Sequence, residues 1–283
     1  METPSVSILM GSYNPTDPAI LHAAVNSLIM QTRTDWELLI CDDGSDEPYA
    51  GYLRALTDLD PRIRYIRSEK NCGLANALNL CLANARGKWL ARMDDDDISE
   101  PQRLEKQVWF LENNSQFAWV GTLATLFYQD EIWGRAIRPE YPSPEDYLKY
   151  SPYIHPTVMF RRNVLQEAGG YRVSRITSRC EDYELFMRLN AFGYRGCNLQ
   201  EDLFRYREDP DALRKRNLRT CFYEAIIRFI GFRKLGLLRF KNIPYILKPL
   251  AVSVFTCFPH AGQQIRRSRS ASIQLIDDYI KKD

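Results

Sequence analysis

The chain is predicted to fold as an α/β domain with a mostly parallel central sheet, helices on both faces, and a basic amphipathic helical extension at its C-terminal end. Three observations carry that prediction. Short apolar, β-branched runs alternate with segments whose apolar residues recur at helical spacing, and several of those runs end in a polar cluster. The 283 residues are 45% hydrophobic and 26% charged, which supplies a buried core and excludes disordered or low-complexity classes.

Val6 to Met10 is a buried strand, stopped by Gly11 and followed by the turn pair Asn14-Pro15. From Pro18 to Gln31, Ile20, Leu21, Ala24, Leu28 and Ile29 mark one helical face, and Trp36 to Cys41 is a second strand ending at Asp42-Asp43-Gly44. Arg64 to Arg67 is a third strand, Leu74 to Ala85 a helix, and Trp89 to Met93 a fourth strand ending in Asp94, Asp95, Asp96 and Asp97. Such alternation implies parallel strands with crossover helices. Arg103 to Asn113 then reads as helix, Trp119 to Tyr128 as strand, and Pro139 to Pro156 as a loop region rich in Pro and Tyr. A turn at Gly169-Gly170, a helix over Tyr183 to Phe192 and a short strand over Leu203 to Arg207 complete the pattern. The expected division is 1–100, 101–210 and an extension over 211–283.

Charge is distributed unevenly. From Asp211 onward there are 15 Lys and Arg against 5 Asp and Glu, whereas the rest has 23 against 31. Basic charge confined to the tail fits an anionic membrane surface better than nucleic acid, which would want it across the active surface. No apolar run spans a bilayer, since Ile243 to Pro259 is broken by Pro244, Lys248 and Pro249. The start of the chain lacks the features of a secretory leader, so a cytoplasmic protein is expected, peripheral on the cytoplasmic membrane through its tail. Seven scattered cysteines without CxxC spacing suggest neither a disulfide framework nor a zinc site, and Cys41 reads as a small core residue.

In doubly wound sheets ligands bind outside the carboxyl ends of the strands, where Ser12-Tyr13-Asn14, Asp42-Asp43 and the four aspartates all fall. Four consecutive carboxylates repel one another unless a cation sits among them. Mg²⁺ or Mn²⁺ is the natural choice, because these ions are held by one or two carboxylates with substrate phosphates completing the shell. An isolated acidic run is also what a solvated loop looks like; the strand-end position and the companion clusters favour the cation. Asp42-Asp43-Gly44-Ser45 offers acceptors for a base edge or ribose hydroxyls, though alone it is ordinary turn chemistry.

The ordered motifs VSILMGSYN, LLICDDGSD, NCGLANALN, ARMDDDDISEPQRLEKQ, HPTVMFRRNVLQEAGGY, CEDYELFMRL and NLQEDLFRYR run from Pro4 to Asp209. On these the chain resembles the inverting family 2 glycosyltransferases of the GT-A nucleotide-diphospho-sugar transferase fold, in particular the branch that assembles bacterial polysaccharides. The resemblance implies a nucleotide-sugar-binding half over 1–100 and an acceptor-binding half over 101–210. Donor contacts are implied for Ser12, Tyr13, Asn14, Asp43, Asn71, Gly73, Asn79, Arg92, Asp94 and Asp95, with Tyr13 and Asp43 at the uracil of a UDP-sugar and Asp94 at the ribose. Asp94 and Asp96 stand at the outer positions of the family's DxD motif, with Asp96 on the metal and Asp95 and Asp97 as supporting acceptors. Asp182 matches the catalytic base, and Glu181 and His155 fall on the acceptor side. Many relatives carry histidine where Asp209 stands, so Asp209 is a candidate oxygen ligand in its place. Without a QxxRW motif after Asp182, addition of single sugars is expected.

The implied chemistry is an in-line displacement. The cation stabilises charge growing on the diphosphate while Asp182 takes the proton of the incoming hydroxyl, which inverts the anomeric centre. The implied acceptor is a glycan or a lipid-linked oligosaccharide, and no nucleic acid is involved. Two alternatives stay open: a sugar nucleotidyltransferase, whose Gly-rich phosphate loop is missing after the first strand, and a non-catalytic nucleotide- or metal-binding module recruited to a membrane. Arg161 and Arg162 fit surface positions as well as the site. Trp89, Trp109, Trp119 and Trp133 could stack on sugars, although most such residues are core. The basic, apolar segment from Leu213 to Arg239 reads either as an interfacial helix or as a helix packed on the domain with snorkelling cations.

Overall fold

The computed structural model describes residues 3–208, 218–256 and 273–275. Its first half is parallel: β1 (Val6–Ser12), β2 (Trp36–Asp42), β3 (Ile63–Arg67) and β4 (Trp89–Arg92) lie in the order β4-β1-β2-β3. The crossovers carry α1 (Pro18–Ile29), α2 (Tyr49–Ala55) and α3 (Leu74–Asn84). β1, β2 and β4 are buried along their whole lengths, and the reason is in their pattern. Ile8, Met10, Leu38 and Ile40 pack with α1 and with α4 (Arg103–Asn113), while Leu9, Leu39 and Cys41 face α3 and α6 (Glu181–Ala191) in the opposite core. Strands covered on both faces read as continuous apolar runs. α3 approaches β1 so closely that a Cβ at Gly11 would stand 2.9 Å from Leu74 Cδ1.

The parallel character stops at β4. β8 (Met159–Arg161) runs antiparallel between β4 and β6 (Trp119–Tyr128), and β6 continues to β7 (Glu131–Ala136) on its antiparallel side. β9 (Gly196–Arg207) is parallel to β6 and reaches β5 (Ile98–Ser99), while β10 (Ile273–Leu275) pairs with β7. β9 is thus longer than the segment its sequence pattern marked. α5 (Arg162–Glu167) follows β8 directly. Trp89 and Trp119 are core, Trp109 is exposed on α4, and the half-buried Trp133 donates its indole N–H to the Glu208 carbonyl at 2.9 Å. None of the four lines the large cavity at the C-terminal ends of the parallel strands.

At the other end of the parallel strands, Glu37 is 2% exposed. Burial pushes its pKa up, but Arg86, Ser7 and Arg64 donate to it at 2.7–2.9 Å and hold it down at about 2. A carboxylate held below its ordinary value of 4.5 stabilises the fold above that pH, and the contribution fades as pH falls through about 2. Glu37→Gln is therefore expected to cost about 3 kcal/mol at neutral pH, read by urea unfolding. The gap between the two proteins should narrow below pH 4.5.

In the extension, α7 (Leu218–Lys234) turns at Gly236 into α8 (Ile243–Thr256). One face of α7 is packed as the second tail reading expects: Ile227 and Phe232 join the core of α6, and the buried Arg228 pairs with Glu224 at 3.0 Å. The other face is open. Among the described residues no helix is long and apolar enough to cross a membrane. Residues 209–217, including Asp209, and Cys257 lie outside the described residues.

Candidate active site

β1, β2 and β4 deliver their C-terminal ends to one cavity of about 720 Å³, within the range of small-molecule sites. Its lining includes Gly11, Ser12, Tyr13, Asp43, Asn71 to Gly73 with the start of α3, residues of the segment from Val173 to Arg179, and Glu181 and Asp182. Arg92, Asp94, Asp95 and His155 add to the polar lining.

Asp42, the last residue of β2, and Asp43 divide their labour. Asp42 is fully buried and accepts from Ser45 N at 2.7 Å, Tyr65 OH at 2.6 Å and Arg67 Nη1 at 3.0 Å. Burial raises its pKa, these donors outweigh it, and the net shift is downward. Gly44 makes the turn possible: its φ is +76°, and a Cβ there would meet the Lys70 backbone at 2.5 Å. Asp43 then faces the cavity, accepting from Gly73 N at 2.6 Å and Cys72 N at 3.1 Å, which fixes the loop before α3. Burial, with Asp42 adding to it, raises the Asp43 pKa despite those bonds. Tyr13, 49% exposed, stands at the rim.

The aspartate run separates by direction. Asp94 pairs with Arg92, and Asp95 accepts from Ser12 Oγ. Asp96 does not line the cavity; its carbonyl accepts from Arg207 Nε at 2.9 Å. Burial, then Asp94 and Asp95, pushes the Asp96 carboxyl up to about 7. Asp97 is buried and accepts from Arg207 N at 2.7 Å, so it braces β9. Among the described residues no group of three or more His, Cys, Asp or Glu is placed to hold a metal ion. The donor set nonetheless fits a divalent cation. Asp94 and Asp95 line the cavity with two further carboxylates next to them in the chain, a crowding that a positive ion relieves, and Mg²⁺ or Mn²⁺ needs only one or two carboxylates when phosphates supply the rest.

Arg92 is the positive centre of the site. It is 2% exposed, and its Nε has no acceptor among the described residues. Burial opposes its charge, Asp94 more than compensates, and its pKa is raised. Arg103 on α4, also buried, donates from Nη2 to the Arg92 carbonyl at 2.7 Å and to the Pro156 carbonyl at 3.1 Å, clamping the end of β4 to the His155 segment. His155 Nε2 lies 2.8 Å from Tyr171 OH. Burial, then the charge of Arg92, lowers the His155 pKa well below its ordinary value, so the ring is neutral.

Glu181 and Asp182 form the first turn of α6, whose unpaired N–H groups favour negative charge there. Burial, followed by the charge of Glu181, nevertheless raises Asp182 to about 7. A carboxylate poised near neutrality has the affinity a general base needs.

Of the residues singled out in the sequence, Ser12, Tyr13, Asp43, Asn71, Gly73, Arg92, Asp94, Asp95, His155, Glu181 and Asp182 line the cavity. Asn14, Asn79 and Asp96 do not. Asn14 braces the neighbouring turn through Ser45 and Asp46. Asn79 pins Tyr171, donating to its carbonyl and accepting from its N–H, both at 2.8 Å. Thr177, Ser178 and Arg179 line the site from outside every motif, and Cys72 and Tyr206 line it from within two of the motifs without having been singled out. Arg179 carries one legible trace of this only in the structure, a φ of +67° just before α6.

Residues 7–169 match the sequence profile of the family described as Glycosyl transferase family 2. The chain is 39% identical over 251 residues to the putative glycosyltransferase EpsE of Bacillus subtilis, covering 87% of this chain and 88% of that one. It is 30% identical over 224 residues to an Escherichia coli UDP-Gal:alpha-D-GlcNAc-diphosphoundecaprenol beta-1,3-galactosyltransferase, covering 76% and 78%. Among solved structures, the mannosyltransferase PcManGT from Pyrobaculum calidifontis, in complex with GDP-Man and Mn²⁺, superposes with a TM-score of 0.62 at 15% identity. That match covers 95% of this chain and 80% of the other, and at this identity it establishes the shared GT-A fold.

Proposed function

The chain belongs to glycosyl transferase family 2, and from that premise we propose that it moves a single sugar from a UDP-sugar to a hydroxyl of a growing glycan or lipid-linked oligosaccharide, with inversion and with a divalent cation. The observation that carries the reading is that one cavity is lined both by Asp94 and Asp95, just past the end of β4, and by Asp182 at the start of α6, whose pKa is raised to about 7. The relatives support a place in polysaccharide assembly, since one is named for a UDP-Gal donor and a diphosphoundecaprenol-linked acceptor.

In this reading residues 1–100 hold the donor, 101–210 the acceptor, and 211–283 form the extension. Asp43 and Tyr13 take the base, because a carboxylate acceptor suits an imide N–H and the phenol ring supplies a face to stack on. Asp94 accepts from the ribose. Asp96 and Asp209 are the residues that would hold Mn²⁺ or Mg²⁺, with Asp95 supporting them. The ion, when bound, supplies Lewis-acid stabilisation of the leaving diphosphate. Asp182 takes the acceptor proton at its carboxylate oxygen, while neutral His155 and Glu181 orient the acceptor through hydrogen bonds. The charge of Arg92 lowers the pKa values of Asp95, Asp96, Glu181 and Asp182 and so opposes part of the upward shift that burial imposes.

The test is a panel of nucleotide-sugars followed by thermal unfolding with Mn²⁺ and with chelator. A UDP-sugar at 100 times its Kd is expected to add about 2.7 kcal/mol, or roughly 5–10 °C in Tm for a domain of this size. Stabilisation by GDP-sugars alone would overturn the uracil assignment, and equal stabilisation in chelator would overturn the role of the ion.

A further inference from the structure

Among the described residues, seven of the fifteen exposed large apolar side chains lie between Leu218 and Leu247, in the α7-α8 hairpin. On α7 they form a stripe. Leu218, Phe222 and Phe229, followed by the exposed Arg233, fall within an arc of about 60° at helical periodicity. The buried Ile227 lies on the opposite side. The stripe runs to the hairpin turn, where Phe240 is 91% exposed between Arg239 and Lys241, both exposed. Arg233, Lys234, Arg239 and Lys241 make no ion pair among the described residues. Between Ala225 and Ile276 the sequence has nine Lys or Arg and no Asp or Glu.

We propose that the α7-α8 hairpin, with Phe240 at its tip, is a docking surface for an anionic lipid bilayer. Chemistry selects the occupant. A second copy of this surface would meet like charge with like charge, and the segment 257–272 carries three arginines and no acid, so it repels the same face. A bilayer with anionic headgroups offers what the hairpin lacks: negative charge at the level of Arg239 and Lys241, and an apolar layer beneath it for Phe240 and Leu247. Shallow insertion of aromatic and aliphatic side chains beneath flanking cations is the interfacial mode, and it needs no spanning helix. The proposal does not depend on the donor assignment, because none of these residues lines the cavity.

The experiment is flotation of the full chain with phosphatidylcholine vesicles and with vesicles containing about 30% phosphatidylglycerol. The parent should float with the anionic vesicles only, and binding should fall as NaCl is raised toward about 1 M. Because a cation at an anionic surface is worth about fivefold in affinity, R239E/K241E should lose roughly 25-fold or more. F240D should lose about 10-fold or more. Both variants should keep the parent's oligomeric state and its donor-induced Tm shift, which separates a failure here from a failure of the donor reading. Equal binding to neutral vesicles, no vesicle binding by the parent, or unchanged binding by both variants overturns the proposal. So does a parent dimer that either variant dissociates, since the occupant would then be a second copy.

Discussion

Asp182→Asn is expected to lower kcat by about 10²–10⁴-fold while donor KM stays close to that of the parent. Amide and carboxylate have the same shape, so the first turn of α6 is kept, and what disappears is the site that accepts a proton. The pH dependence distinguishes this from structural damage. With a pKa of about 7, Asp182 is an effective base only above that value, so kcat in the parent should rise with pH and level off past 7. The variant's residual rate should lack that limb. Stability should change in the opposite sense. A buried acid whose pKa is raised from 3.8 to about 7 binds its proton more tightly folded than unfolded, so it destabilises the fold increasingly as pH rises between those values. Asp182→Asn should accordingly be more stable than the parent above pH 7, with the advantage vanishing toward pH 4. A variant that loses stability at pH 8 and turns over slowly at every pH would assign Asp182 to packing.

Arg92→Leu is expected to cost about 3–5 kcal/mol of stability and to abolish donor binding. The substitution leaves Asp94 without its partner at a strand end that already carries Asp95, Asp96 and Asp97. Removing one member of a buried pair is far worse than never having built it. Asp94 keeps 27% of its side chain in solvent, which places the loss toward the lower figure. The double variant R92L/D94N should regain part of the stability, because the stranded charge is gone, but not donor binding. The guanidinium also lowers the pKa values of Asp95, Asp96, Asp97, Glu181 and Asp182, so any residual activity should need a higher pH than the parent's. Additive losses in the double variant would show that the two residues do not act as a pair.

What the sequence allowed to be read depended on whether the cause was local. β1, β2 and β4 announce themselves because burial on both faces demands unbroken apolar runs, and their C-terminal ends carry the cavity's acids. α4 and β6 have the bounds that their periodicity marks. β8 is invisible by contrast: three residues hold no pattern, and it is a strand only because β4 and β6 flank it. β7, an exposed edge, and α2, at seven residues, are weak signals for similar reasons. Within the site the same rule applies. Asp43 and Asp182 are placed by adjacent sequence, whereas the work of Asn79 is done at Tyr171, 92 residues away. Arg103 reads as one more charged helix residue until its guanidinium is found on the carbonyls of Arg92 and Pro156.

The position of β8 also limits how this enzyme can be recombined with others. The strand that closes the open side of β4 comes from well beyond residue 100, and Asn79 is stitched to Tyr171 from the same later stretch. A chimera that replaces everything after about residue 100 would strip the parallel half of the sheet of its neighbouring strand and of the anchor on α3. Splicing for altered specificity is better confined to the loop between Val173 and Arg179, which borders the cavity and lies outside the sheet.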